Sequence, residues 1–133
     1  MTAHFFLVRA RLAKADPFLK AEILHKDGEA LRCLGRFRES LSCYKGAYTL
    51  YEKLSVPSES LSTLIGMSAC MRVMGRYEEA RQMWWREGER RSARNLRFFP
   101  QVELERALVA RGLGLFSETR LRIRRAVQSL SQQ

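Results

Sequence analysis

The sequence predicts an all-α fold made of helix–turn–helix units repeated along the chain. Three observations carry this expectation. With only 8 Gly and 3 Pro in 133 residues, the turn chemistry is too sparse for a many-stranded sandwich or barrel. Apolar residues recur at spacings of 3, 4 and 7, which marks one face of an α-helix. One seven-residue pattern also occurs three times: Leu34-Gly35-Arg36-Phe37-Arg38-Glu39-Ser40, Met74-Gly75-Arg76-Tyr77-Glu78-Glu79-Ala80 and Leu113-Gly114-Leu115-Phe116-Ser117-Glu118-Thr119. Each copy reads apolar, Gly, any residue, aromatic, any residue, Glu, small, and the glycines are 40 and then 39 residues apart. An apolar content of 46% and a charged content of 29% suit a folded single domain spanning residues 1–133.

The elements follow in order. His4 to Ala15, with Phe5, Val8, Leu12 and Ala15 on one face, reads as an N-terminal helix within residues 4–16. Pro17 lies 40 residues before Pro57, so this helix corresponds to the second half of an earlier repeat, either a cap or the remainder of a longer array. Repeat 1 (21–55) has the stripe Leu24, Gly28, Leu31, Leu34 before its turn and Phe37, Leu41, Tyr44, Tyr48, Tyr51, Leu54 after it. Repeat 2 (58–95) has Leu64, Met67, Met71, Met74 and then Tyr77, Ala80, Trp84, Gly88. Repeat 3 (100–131) has Ala107, Ala110, Leu113 and then Phe116, Ile123, Ala126, Val127, Leu130. Loops are expected at residues 16–20, 55–60 and 95–100, where Pro17, Pro57 and Pro100 stop or start helices.

The turn pattern has a physical reading. The Gly ends the first helix because it takes positive φ at low steric cost. The aromatic two residues later opens the second helix and fills the wedge of the pair. Ser40, Ala80 or Thr119 lets the two backbones approach, and Tyr44, Trp84 or Ile123 covers the contact. One pair cannot bury both apolar faces, so the pairs must stack, as in an α-solenoid with a concave groove.

At these residues the chain resembles the tetratricopeptide repeat family over roughly residues 21–131, with Gly28, Gly75, Tyr77 and Ala80 where the family pattern wants them. The family period is about 34 residues, and the longer spacing here looks like that of repeats in bacterial regulators and in adaptor proteins of the kinesin-light-chain type. Ser68, Arg106 and Glu87 depart from the pattern, standing where it has a small Gly, a Leu and a closing Ala. The resemblance implies a protein-interaction module in a regulatory or signalling setting, including transcription regulators. It also implies that Arg32, Arg72 and Arg111, each three residues before a turn glycine, face the groove, with His25, Glu29 and Ile65 beside them. Along its own helix Arg32 can pair with Glu29, whereas Arg72 and Arg111 have no carboxylate one turn away.

Charge narrows the partners. The formal charge is +10, from 19 Arg and 5 Lys against 14 acidic residues, rising from +3 over residues 1–60 to +7 over 61–133. Such a surplus favours acidic partners, whether peptide, nucleic acid or anionic membrane, without choosing among them. The expected ligand is an acidic protein or peptide segment, with nucleic acid as the alternative partner. Trp85, Arg86 and Arg90 form a secondary contact patch with Leu121 and Arg122, because Trp84 takes the core face and leaves Trp85 outside it. The arginines Arg120, Arg122, Arg124 and Arg125 solubilise the last helix, whose Leu121 and Val127 offer a surface for a homodimer. No apolar run is long enough for a membrane span. No nucleophile–base, metal or phosphate-loop pattern appears, so the expectation is a non-enzyme without cofactor or metal. His25 and Cys33 read as a surface histidine and a half-buried cysteine rather than a dyad, and Cys43 and Cys70 as small core residues. Three unpaired cysteines and no secretion signal point to the cytoplasm.

Overall fold

Four helices start at twenty-residue intervals, at Pro17, Phe37, Pro57 and Tyr77. The computed structural model describes residues 16–89 and 97–131. Among them there are helices and tight turns and no strand. The expected N-terminal helix at residues 4–15, with Arg90 and the end of repeat 2, lies outside the described residues. The chain divides into two compact units, Met1–Cys70 and Met71–Gln133.

In the first unit, α1 (Pro17–Cys33) begins where Asp16 accepts a hydrogen bond from the Leu19 N–H at 3.1 Å and Pro17 takes the first helical position. It ends at Gly35, φ +78°, where the Arg36 and Gly35 N–H groups donate to the Leu31 and Arg32 carbonyls. Those two bonds are a Schellman cap. Helix α2 (Phe37–Lys53) follows, then α3 (Pro57–Val73), whose last turn, from Met71 on and including Arg72, belongs to the second unit. The turn between them is built the same way, but its left-handed residue is Ser55, φ 56°, so the same cap recurs without a glycine. The buried core gathers Ala21, Ala47 and Tyr51, with Leu24, Leu50 and Val56 packed against them.

Small residues bring the helices of this unit together. The Ser40 hydroxyl donates to the Gly28 carbonyl at 2.6 Å, and the Cys70 thiol donates to Ser40 at 3.3 Å. The Tyr44 ring fills the space left by two glycines: a Cβ on Gly28 would lie 3.0 Å from the ring, and one on Gly66 only 2.5 Å. Two expectations are reversed here. His25 is largely buried, edge-on to Tyr44 and Tyr51 at centroid distances of 5.4 and 6.4 Å, and Cys33 is exposed. His25 lies about 40° around the helix from buried Ala21, while Cys33 is about 160° away from Leu31.

In the second unit, α4 (Tyr77–Met83) continues into a π-helical segment, Trp84–Gly88. The buried Trp84 ring lies over Gly88, where a Cβ would collide with it. Helices α5 (Phe99–Gly112) and α6 (Phe116–Ser131) pack together, with Val102, Ala107, Val109, Ala110 and Ala126 buried. The turns at Gly75 and Gly114 have φ of +77° and +75° and the same pair of capping bonds. Tyr77 fills a wedge as expected, its ring seated where Gly112 lacks a side chain. Phe116 does not: it is 68% exposed, because among the described residues no later helix offers it a glycine seat.

Candidate functional site

The three groove arginines have different fates. Arg32 does not pair with Glu29; its Nε donates to the Tyr44 hydroxyl at 3.3 Å. Glu29 is taken instead by His25 Nε2 at 3.0 Å and Lys26 at 3.6 Å. Arg72 does have a carboxylate, supplied by α5 rather than its own helix: Nε donates to Glu105 at 2.8 Å. Arg111 is exposed and forms no ion pair with a described residue. Ile65 is half-buried on α3. Of the basic row that the resemblance implies, Arg32 and Arg72 are thus bonded to Tyr44 and Glu105, and Arg111 alone forms no ion pair or side-chain hydrogen bond with a described residue.

A cleft of about 460 Å³ opens in the second unit, lined by Arg81, Trp85, Arg86, Arg106, Glu118 and Arg122. Helix α4 and its π-helical continuation supply Arg81, Trp85 and Arg86, α5 supplies Arg106, and α6 supplies Glu118 and Arg122. Trp85 is 74% exposed, because its neighbour Trp84 has taken the core face. Consecutive residues on a helix point about 100° apart, so only one of the two tryptophans could be buried.

Most of the positive charge in the cleft is already engaged. Arg81 reaches Glu118 at 3.1 Å, and Arg106 reaches Glu89 at 2.7 Å. That hydrogen bond from Arg106 holds the Glu89 carboxyl below its ordinary range, against the opposing effect of burial. Arg122 was expected to solubilise α6 and join a surface patch, but it is buried. Its Nη1 contacts both oxygens of Glu103 at 3.3 Å, Nη2 lies 3.8 Å from Glu118, and Nε has no hydrogen-bond partner among the described residues. Arg86 is exposed and forms no ion pair with a described residue.

Three residues of the expected contact patch therefore meet in one cleft: Trp85, Arg86 and Arg122. Leu121 does not line it and lies exposed elsewhere on α6, as do Ile123 and Val127. The spacing argument missed Arg81, Arg106 and Glu118. One signal was present, since Arg106 stands where the repeat pattern has a leucine, and a charge at a buried position must bring a partner. Among the described residues, no group of His, Cys, Asp and Glu could hold a metal ion, and no helix is long and apolar enough to cross a membrane. Comparison of the chain with models of protein families, with curated proteins and with solved structures found no match.

Proposed function

We propose that this chain is a non-catalytic protein-interaction module that binds an acidic peptide segment, with the Trp85 cleft as its principal contact. The observation that carries this reading is the 74% exposed Trp85 beside Arg86, which forms no ion pair with a described residue. A large exposed aromatic next to a free guanidinium is a combination enriched at protein interfaces. A carboxylate-bearing segment would meet Arg86 and lay an apolar side chain on the indole.

The right-handed solenoid of tetratricopeptide type is part of the same proposal. Four helix starts at equal intervals and four turns of one construction support it. Single-stranded nucleic acid is the second reading, favoured by Trp85 as a stacking surface beside arginine. The peptide reading is preferred because Arg81, Arg106 and Arg122 are committed to carboxylates, leaving Arg86 as the one free cation among the described residues of the cleft. A nucleic-acid track needs several.

The test is fluorescence titration of the full chain with acidic peptides and with single-stranded oligonucleotides, at low and moderate salt. Trp85→Ala and Arg86→Ala should keep the melting temperature and lose peptide binding. Binding of oligonucleotide alone, falling steeply with salt, overturns the peptide reading. So does peptide binding that survives both substitutions.

A further inference from the structure

A second cleft, in the first unit, has the opposite character. Phe18, Glu22, His25, Tyr51 and Glu59 line a hollow of about 300 Å³ together with Lys26. In a chain with 24 basic residues, Glu22 and Glu59 form no ion pair with a described residue. The cation beside them, Lys26, contacts Glu29 at 3.6 Å, and the His25 ring, whose pKa burial lowers, is hydrogen-bonded to Glu29 as well. The floor is aromatic, with Phe18 edge-on to Tyr51 at 5.9 Å and His25 edge-on to Tyr51 at 6.4 Å.

Two carboxylates alone would describe a solvated helix face. The decisive group is Tyr51: the residue is only 3% exposed, and its hydroxyl, which forms no hydrogen bond with a described residue, is not sealed from solvent in the cleft that Tyr51 lines. A buried phenol normally finds a partner within the protein. This one lines a cleft with two uncompensated carboxylates.

We propose that this cleft binds the guanidinium of an arginine side chain presented by another polypeptide. The Glu22 and Glu59 carboxylates and the Tyr51 hydroxyl are its acceptors, and the exposed Phe18 ring its stacking surface. A guanidinium fits better than an ammonium because its planar fork offers five donors and stacks on rings. Burial, and then the carboxylates of Glu22, Glu59 and Glu29, push the Tyr51 phenol up to about 12, so the hydroxyl sits in negative potential. The inference uses residues of the first unit alone and does not depend on the Trp85 cleft.

The test titrates the full chain with a short capped peptide carrying one arginine among neutral residues, and with matched lysine and citrulline peptides. Citrulline keeps the shape of arginine without its charge. The arginine peptide should bind at least roughly tenfold more tightly than the citrulline peptide, the difference expected when charge-assisted hydrogen bonds are lost. The double variant Glu22→Gln/Glu59→Gln should lose binding while keeping its melting temperature. Tyr51→Phe, which keeps the ring, should weaken it several-fold. Sedimentation without peptide separates the sources of the arginine: self-association abolished in the double variant identifies a second copy of this chain, and a monomeric wild type a separate partner. Equal binding of arginine and citrulline peptides, wild-type affinity in the double variant, or no binding at millimolar peptide overturns the proposal.

Discussion

The guanidinium of Arg72 grips the carboxylate of Glu105, 33 positions further along the chain, with Nε 2.8 Å from Oε1 and a second contact at 3.4 Å from Nη2. Glu105 is almost fully buried and Arg72 is three-quarters covered. Removing one partner of such a pair strands the other in a poorly solvating site. Arg72→Ala should therefore destabilise the chain by about 1–3 kcal/mol, the cost of an unsatisfied buried polar group. Arg111→Ala, at the equivalent repeat position but exposed, should change stability by less than about 0.5 kcal/mol. Urea denaturation of the two variants checks this, and equal stabilities would mean that the ion pair contributes nothing.

Tyr44 makes a side chain at Gly66 costly. An alanine there would put its Cβ 2.5 Å from the phenol carbon Cζ, nearer than carbon atoms approach. The ring cannot swing away freely, since Gly28 closes its other side and Arg32 holds its hydroxyl. Gly66→Ala should cost about 1–3 kcal/mol, with Gly28→Ala milder because its closest approach is 3.0 Å. Adding Tyr44→Leu to Gly66→Ala makes room for the methyl group. The double variant should lose less stability than the sum of the two single variants, and strict additivity would refute the steric account.

These contacts also show where the sequence is legible. The turns at Gly35, Gly75 and Gly114 could be read directly, because a left-handed cap selects glycine. The fourth turn of the same design could not, since Ser55 carries no such mark; the twenty-residue interval emerges only with the helix starts. The split between Trp84 and Trp85 follows from the angular step of the helix and was readable. Arg72, Arg106 and Arg122 were not, because Glu105, Glu89 and Glu103 lie beyond the i±3 and i±4 neighbours that a search along one helix sees; for Arg122 that search finds only Glu118, the longer contact at 3.8 Å. His25 was misread for want of an angular comparison with Ala21 and Gly28, which the sequence did contain.

Ser55 holds φ 56° in its turn, a conformation that disfavours an L side chain by roughly 1–2 kcal/mol. Ser55→Gly relieves that strain but loosens the unfolded chain, which offsets roughly 0.4–1 kcal/mol. The net expectation is a gain of about 0.5–1 kcal/mol, seen as a higher denaturation midpoint. The reverse change, Gly75→Ala at φ +77°, meets no atom within 4 Å and should cost about 1 kcal/mol from backbone strain alone. A destabilised Ser55→Gly variant would mean that the serine side chain contributes more than the turn conformation costs.

Burial lowers the pKa of His25, with Glu29 pulling in the opposite direction. The folded chain therefore takes up this proton at lower pH than the unfolded chain, whose imidazole titrates near the ordinary value of 6.5. Between the two values the unfolded state binds more protons, so falling pH favours unfolding. The contribution of His25 to stability is full above the ordinary value and is lost as pH falls through the lower, folded-state pKa. Thermal melts between pH 8 and pH 5 should show a steeper decline for wild type than for His25→Gln. A shallower decline for wild type would show that the Glu29 contact outweighs burial.

Glu103, 2% exposed, faces Arg122 through two contacts of 3.3 Å, while the Arg122 Nε makes no hydrogen bond. The desolvation of both charges is large and the geometry recovers it incompletely. Arg122→Met leaves a carboxylate buried beside a hydrocarbon and should cost about 3–5 kcal/mol. Glu103→Leu leaves Arg122 with Glu118 at 3.8 Å as a remaining acceptor, so its loss should be smaller. Replacing both by Glu103→Leu/Arg122→Met removes two desolvated charges and keeps the volume filled. The double variant should return to within about 1 kcal/mol of wild type or exceed it, as apolar replacements of buried pairs do. Far-ultraviolet circular dichroism with urea titration of the four proteins decides the matter. If the double variant is as unstable as Arg122→Met, the charged pair is a structural requirement of the α5–α6 packing and this account of its energetics is wrong.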